Sequence, residues 1–114
     1  MTVSNRERLV LVVVALLGAF LITRFFVAGP GYTDVFYHLN GANRLVTGQG
    51  LTDPYYWTYI GATNQLPAPS HLYWMPLTSL SAAVGMWLLN APNNYVAAQL
   101  LFSVMFADVV LIGF

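Results

Sequence analysis

The chain has no cysteine, and its only charged residues are four arginines and four acids among 114 residues. The absence of cysteine excludes disulfides, thiolate catalysis and cysteine-based zinc sites. With only four basic residues and a formal net charge of zero, no basic patch is available to follow a phosphate backbone. Nucleic acid is therefore not an expected partner.

What the chain has instead is apolar side chains. Hydrophobic residues make up 58% of it and charged residues 7%, whereas roughly a quarter of the residues in a soluble domain are charged. The mean hydropathy is +0.64. This composition indicates a membrane protein, with the lipid bilayer as its first partner.

Three long apolar segments follow one another, at residues 9–28, 72–90 and 95–114. The first is long enough, at about 1.5 Å per residue, to cross the roughly 30 Å hydrocarbon core of a bilayer. A cleaved signal peptide is the competing interpretation. The run is longer than a typical signal-peptide core, and "VAGPGYTD" is a poor cleavage site, so an uncleaved anchor is favoured.

The predicted fold class is therefore an all-α membrane protein with three transmembrane helices and a large outer loop at 29–73. Arg6 and Arg8 precede the first span, which predicts a cytoplasmic N-terminus and an outer loop, in a multi-pass protein of the plasma (inner) membrane. The third segment stops at Phe114 without flanking polar residues. From this we expect the N-terminal fragment of a longer multispanning protein.

The loop of some 45 residues is too long for a simple connection, and it is poor in charge but rich in aromatic residues and proline, unlike a disordered segment. Within it, residues of about 34–47 have helical periodicity. Thr33 or Asp34 would begin this surface helix, and Gly48 or Gly50 would end it. Its apolar stripe, for docking on membrane or protein, comprises Val35, Leu39, Ala42 and Val46.

Asp34 has two interpretations. A carboxylate at a helix N-terminus is a good cap, and a carboxylate at a membrane surface among apolar groups can also serve as a general base. His38 lies one turn later on the same face and would hydrogen-bond Asp34 or pack at the interface. Two such groups without a third are weak support for a metal site, so the metal is unknown.

Four more residues are candidates for function. Tyr37 is an interfacial aromatic or a substrate contact, Arg44 lies on the opposite side of the helix from Asp34, and His71 could meet a lipid phosphate. With His38, these are the candidate substrate-binding residues. Asp108 lies inside the third apolar segment, where an ionisable group is costly unless it faces protein or water; it is functional, or hydrogen-bonded within a helix bundle.

The segments "DVFYHLNGANRLVTGQG" and "PSHLYWMPLTSL", together with one span followed by a large outer loop, resemble the start of the C-type (GT-C) membrane glycosyltransferases. The first segment is similar to the first outer loop of oligosaccharyltransferase catalytic subunits, protein mannosyltransferases and aminoarabinose transferases. The second is similar to their proline-rich entry into the second span. These motifs are short and degenerate, although the resemblance covers nearly the whole chain.

The resemblance implies an enzyme that moves a sugar from a polyprenyl-phosphate donor to a sugar, lipid or protein acceptor on the outer face of the membrane. It implies that Asp34 is the catalytic base or orients the acceptor, in some relatives through a divalent metal. The family's second-loop acidic motif and its later phosphate-binding residues have no counterpart here, so this chain alone should be inactive. Cofactors are otherwise unknown.

Two other functions remain open on the sequence. A non-catalytic small membrane protein could use the aromatic loop to dock on a larger assembly. A transporter fragment could use Asp108 on a proton or ion path, in which case Asp108→Asn would abolish transport and Asp34→Asn would have little effect.

Overall fold

The computed structural model describes residues 4–27, 29–56 and 65–113. Ala28, residues 57–64 of the predicted loop and Phe114 lie outside the described residues. The described part is mostly helical, with four helices of twelve residues or more, a one-turn helix and a two-stranded sheet. In chain order the elements are α1 (Asn5–Phe25), α2 (Thr33–Val46), β1 (Thr52–Asp53), β2 (Ala68–Pro69), α3 (Leu77–Leu88), α4 (Tyr95–Ala98) and α5 (Leu100–Ile112).

Helix α1 starts at a capping box. The Ser4 side chain accepts from the Glu7 N–H, and the Glu7 carboxylate accepts from the Ser4 N–H at 2.8 Å, which satisfies two groups at the helix start. Apolar side chains are exposed around most of the helix, and only Ala15 and Ala19 are buried. Among the described residues, α1 alone is long and apolar enough to cross a membrane, a property it shares with signal sequences and core helices of soluble proteins.

The other two predicted spans contain shorter helices. Helix α3 has twelve residues, about 18 Å at 1.5 Å per residue, and it starts at Leu77 rather than at residue 72. Pro76 is its N-cap and the preceding residues form bends. The third segment holds α4 and α5 on either side of Gln99. Three membrane spans therefore stay a prediction.

The surface helix predicted at about 34–47 is α2, Thr33–Val46. It ends in a Schellman motif: the Gly48 N–H donates to the Leu45 carbonyl at 3.1 Å and the Gln49 N–H donates to the Arg44 carbonyl at 2.7 Å. Gly48 has a φ of 78°, which glycine adopts without steric cost. Gly48 therefore follows the helix end, as its sequence position predicts.

The apolar stripe of α2 packs on protein. Ala42 is completely buried in a cluster with α3 and α4, and Leu39 and Val46 pack against that cluster. The other buried members are small or flexible side chains: Ala82, Ala83, Met86, Ala97 and Ala98. Small residues allow neighbouring helices to approach closely. This packing fixes α2 beside α3 and determines which α2 residues face the remaining space.

The loop after α2 returns to this helix through a short sheet. Strands β1 and β2 are antiparallel, with Thr52 opposite Pro69 and Asp53 opposite Ala68. The Arg44 guanidinium donates to the Thr52 hydroxyl from Nε at 2.9 Å and from Nη2 at 2.7 Å. Asp53 is thereby placed beside α2, where it is 2% exposed.

Candidate functional site

A largely apolar cleft of about 600 Å³ lies between the helices, within the size range of small-molecule sites. All five helices and residues next to them contribute its walls. Its polar lining residues are Thr23, Tyr32, Asp34, His38, Trp74, Thr78, Tyr95, Gln99 and Ser103. Among these residues are one acid, Asp34, and one imidazole, His38. The helical periodicity predicts that both lie on one face of α2, and both line this cleft.

Asp34 is the second residue of α2, in its first turn, and its side chain is exposed. The N-cap is Tyr32, and no side chain makes a capping hydrogen bond there. The prediction that Asp34 caps the helix by hydrogen bonding is therefore wrong, although its charge still complements the helix dipole. An exposed carboxylate on a cleft wall is available to a ligand.

His38 makes its hydrogen bond to Ser79 rather than to Asp34. Its Nδ1 lies 2.9 Å from the Ser79 Oγ. Burial lowers the pKa of His38, the charge on His71 lowers it further, and the nearby Asp34 carboxylate opposes both effects. The neutral imidazole is therefore favoured.

Ser79 joins the two histidines of the chain. Its hydroxyl is completely buried and also lies 2.8 Å from His71 Nε2. Burial likewise lowers the pKa of His71. Sequence reasoning missed Ser79, because a single serine in an apolar helix gives no signal of its own; on sequence it reads as a small residue that permits close packing.

His71 is held in an uncommon backbone conformation. Its φ is 62°, and its N–H donates to the Tyr37 hydroxyl at 2.5 Å. The Ser70 Oγ lies 2.6 Å from its Nδ1, so both ring nitrogens have serine partners. A Cβ on Gly41 would come within 2.9 Å of the His71 ring, so glycine is needed there for the ring to pack against α2.

Tyr37 is a core residue, 2% exposed, so the interpretation of Tyr37 as an interfacial aromatic is wrong. Its hydroxyl accepts a hydrogen bond from the His71 N–H. Burial raises the pKa of Tyr37, and the negative charge of Asp53 also raises it. On sequence, Asp53 before Pro54 indicates only a local turn, so its contact with Tyr37 was missed.

The remaining sequence candidates lie apart from the cleft wall. Arg44 anchors Thr52, and His71 lies behind His38 in the hydrogen-bonded cluster. Asp108 is exposed on α5 and does not line the cleft. Within residues 4–27, 29–56 and 65–113, no three His, Asp or Glu side chains form a group that could hold a metal ion.

Comparisons with known proteins give no match: no family model, curated protein or solved structure is significantly similar to this chain. The arguments for function therefore rest on the residues and geometry of the cleft.

The two histidines predict a pH dependence of folding. Because the folded protein lowers both pKa values below the ordinary 6.5, the unfolded chain binds more protons once the pH falls below 6.5. The stability contributed by the neutral imidazoles is present above that pH and is lost as the pH falls through the lowered values. Thermal unfolding in detergent between about pH 8 and about pH 5 measures it.

A variant with Gln at both His38 and His71 is the control for this pH dependence. We expect it to lose most of the dependence in that interval, because amide side chains do not titrate there. A wild-type protein that becomes more stable as the pH falls below 6.5 would contradict the neutral pair.

Removing the Tyr37 hydroxyl is expected to destabilise the fold by about 1–3 kcal/mol, because buried groups that lose a hydrogen-bond partner retain their desolvation cost. In Tyr37→Phe, the His71 N–H loses the hydroxyl that accepts its hydrogen bond. Chemical denaturation compares it with Tyr32→Phe, which alters a tyrosine that is 66% exposed and should change stability by no more than about 0.5 kcal/mol. Equal effects of the two variants would disprove the importance of the Tyr37 contacts.

Proposed function

We propose that this chain belongs to a membrane glycosyltransferase of the GT-C type, which transfers a sugar from a polyprenyl-phosphate-linked donor to an acceptor on the outer face of the membrane. The observation that carries the proposal is the position of Asp34. Its exposed carboxylate lies at the start of α2, on the wall of a largely apolar cleft. The resemblance of this segment to the first outer loop of the family agrees with that position.

The chemistry of the cleft suits such a substrate pair. Apolar side chains of α1 and α5, among them Ile22, Phe102 and Phe106, can receive an aliphatic chain. Asp34 and His38 supply polar groups beside them, as expected for a site that binds an apolar body and orients a polar head. A membrane arrangement places α1 across the bilayer, with Arg6 and Arg8 in the cytoplasm and the outer loop on the opposite side.

In the proposed reaction, the nucleophilic oxygen or nitrogen of the acceptor forms a bond to the anomeric carbon while the bond from that carbon to the phosphate oxygen breaks. The electron pair leaves with the lipid phosphate, and the acceptor's proton passes to the Asp34 carboxylate. In-line attack inverts the anomeric centre. General base catalysis contributes about 10²- to 10⁴-fold, so positioning of the reactants and stabilisation of the leaving phosphate supply the rest.

The test uses the natural protein at its full length in membranes of an expressing cell. Membranes are incubated with radiolabelled polyprenyl-phosphate sugars and the native pool of acceptors, and label transferred to acceptor is measured against membranes without the protein. We expect transfer from at least one donor, with inversion of the anomeric centre. Consumption of none of these donors by abundant, folded protein would overturn the proposal.

Asp108 distinguishes the transporter alternative. Its side chain is exposed on α5 outside the cleft lining, so the proposed transfer does not need it. If Asp108→Asn abolished function and Asp34→Asn did not, the transporter would replace the glycosyltransferase as the better explanation.

A further inference from the structure

We propose that His38 and His71 act as one proton-binding unit: bridged by the Ser79 hydroxyl, the two rings carry the same tautomer when neutral and together bind one proton rather than two. The observation that carries the proposal is one hydroxyl shared by two imidazoles. Ser79 Oγ lies 2.9 Å from His38 Nδ1 and 2.8 Å from His71 Nε2. The ring centroids are 5.9 Å apart, and the chain has no other histidine.

Separate parts of the fold hold the three side chains together. His38 lies on α2, Ser79 in the first turn of α3, and His71 in the segment between β2 and α3. Ser79 is completely buried, so bulk water does not reach its hydroxyl. A Cβ at Gly41 would lie 2.9 Å from His71 Cε1 and 3.2 Å from Ser79 Oγ, so the ring and the hydroxyl pack directly against the α2 backbone.

In the neutral pair, the contacts fit two directions of hydrogen bonding. Ser79 has a single proton, so it donates to one ring and accepts from the other. If His38 donates from Nδ1, His71 accepts at Nε2 and both rings are Nδ1–H forms; if His71 donates from Nε2, both are Nε2–H forms. Ser70 Oγ, 2.6 Å from His71 Nδ1, can accept in the first case and donate in the second. The two tautomers therefore change together.

A first proton fits this arrangement without loss of a hydrogen bond. It adds to the second nitrogen of whichever ring already donates to Ser79. The charge can then cross to the other ring: the charged ring gives its proton to Ser79 Oγ, and Ser79 gives its own proton to the nitrogen that faces it. One N–H bond breaks, one forms, and Ser79 again has one proton. The first proton therefore belongs to the pair.

A second proton is opposed by the same geometry. Two imidazolium rings would both donate to Ser79 Oγ, and the serine proton would lose its acceptor. The two positive charges, 5.9 Å apart, would also repel. At an effective dielectric constant of about 20, this repulsion weakens binding of the second proton by about 100-fold.

The titratable groups around the pair lie on α2 and β1. Burial lowers the pKa of His38, the charge on His71 lowers it further and the Asp34 carboxylate raises it; burial also lowers the pKa of His71. Tyr37 contacts both rings and stays neutral because burial and the charge of Asp53, on β1, raise its pKa. Helix α3 has no titratable side chain, and the acids and arginines of α1 and α5 lie outside the cleft lining.

The pair connects the cleft to the loop. Asp34, Tyr32 and Tyr95 are the other titratable residues of the cleft lining, so among the described lining residues His38 is the only base. A proton released in the cleft would be held on the pair. Where that proton is the one that Asp34 takes in sugar transfer, its passage to His38 restores the carboxylate, and this role rests on the proposed function. The coupling of the two rings does not.

Nitrogen NMR of the ring atoms tests the unit. The whole chain, labelled with ¹⁵N-histidine in detergent, gives two sets of ring resonances, assigned by His38→Gln. Above about pH 8, where both rings are neutral, we expect equal fractions of the Nδ1–H form in His38 and His71. As the pH falls, both sets should respond in a first step that binds a single proton, with the second bound about 100-fold more weakly. Unequal fractions, or two protons bound in one step, would overturn the inference.

A change made at one ring and measured at the other tests the part that Ser79 plays. Ser70→Ala removes the hydroxyl at His71 Nδ1 and leaves the contact of His38 with Ser79 in place. We expect the Nδ1–H fractions of both rings to change by the same amount. With Ser79→Ala already present, Ser70→Ala should alter His71 alone.

The matched control for Ser79→Ala is Ser81→Ala, at a second buried serine of α3, in which both rings should still respond to Ser70→Ala. A His38 ring that does not respond to Ser70→Ala in the wild-type background, or still responds after Ser79→Ala, would disprove transmission through Ser79. The comparison of the two rings in the wild-type chain needs no substitution, so it decides the inference even if a variant fails to fold.

The role in sugar transfer has a separate measurement. In the natural full-length protein, Ser79→Ala should shift the acid limb of the pH dependence of transfer, whereas Ser81→Ala should not, and the same profile in both would remove the pair from the reaction. A coupled pair in a protein that transfers no sugar would contradict the proposed function alone. Independent rings in an active enzyme would contradict the inference alone.

Discussion

Asp34→Asn is expected to reduce sugar transfer by about 10²- to 10⁴-fold, the range that a positioned general base contributes. The substitution keeps the shape of the side chain but removes the carboxylate that we propose takes the acceptor's proton. Asp34 is exposed in the first turn of α2 and makes no capping hydrogen bond. Loss of its charge at the helix N-terminus should therefore cost no more than about 1 kcal/mol of stability.

The measurement is the initial rate of label transfer in membranes that contain equal amounts of wild-type and variant protein. Asp108→Asn is the matched control, because it makes the same chemical change at an exposed acid outside the cleft lining. We expect the control to retain wild-type turnover. Unchanged turnover in Asp34→Asn would remove Asp34 from the reaction and leave the proposed mechanism without its base.

Gly85→Ala is expected to have the largest effect on folding, a loss of about 3 kcal/mol or more, at the upper end of the cost of overpacking. A Cβ at Gly85 would lie 2.1 Å from the carbonyl oxygen of Ala97 and 3.4 Å from the Leu100 Cβ. The obstacle is backbone of α4, so no side-chain rotation can relieve it. The α3 and α4 backbones would have to separate at the centre of the buried cluster.

Chemical denaturation in detergent measures this loss, with Gly18→Ala as the control. Gly18 lies inside α1, and a Cβ there would meet nothing within 4 Å. Alanine is favoured over glycine in a helix by about 0.8–1 kcal/mol, so the control should be neutral or more stable. Equal stability of Gly85→Ala and wild type would show that α3 and α4 do not pack so closely.

The two faces of α2 connect the core to the cleft. One face carries Ala42 into the cluster with α3 and α4, and an adjacent row carries Asp34 and His38 to the cleft wall. A substitution in the cluster can therefore disturb the cleft by moving α2, even when the substituted residue is remote from any ligand. Loss of activity in such a variant needs a stability measurement before a residue is assigned a role in catalysis.

Much of the local structure follows from the sequence because it depends on near neighbours. Helical periodicity places Asp34 and His38 on one face of α2, and the glycine at position 48 allows the left-handed turn that ends the helix. The length and apolarity of α1 follow in the same way. The later start of α3 does not follow from the sequence. The apolar segment continues through the bends before Leu77, and hydropathy does not show at which residue the hydrogen bonding of a helix begins.

The sequence by itself determined a charge-poor helical protein with one long apolar helix and a surface helix that presents Asp34 and His38 together. Only the tertiary structure decided which groups contact the His38 ring. Its partner Ser79 is 41 residues away, and Ser79 also contacts His71, which lies in the segment before α3. Such contacts depend on how the loop and α3 return to α2, and periodicity within one segment cannot specify that path.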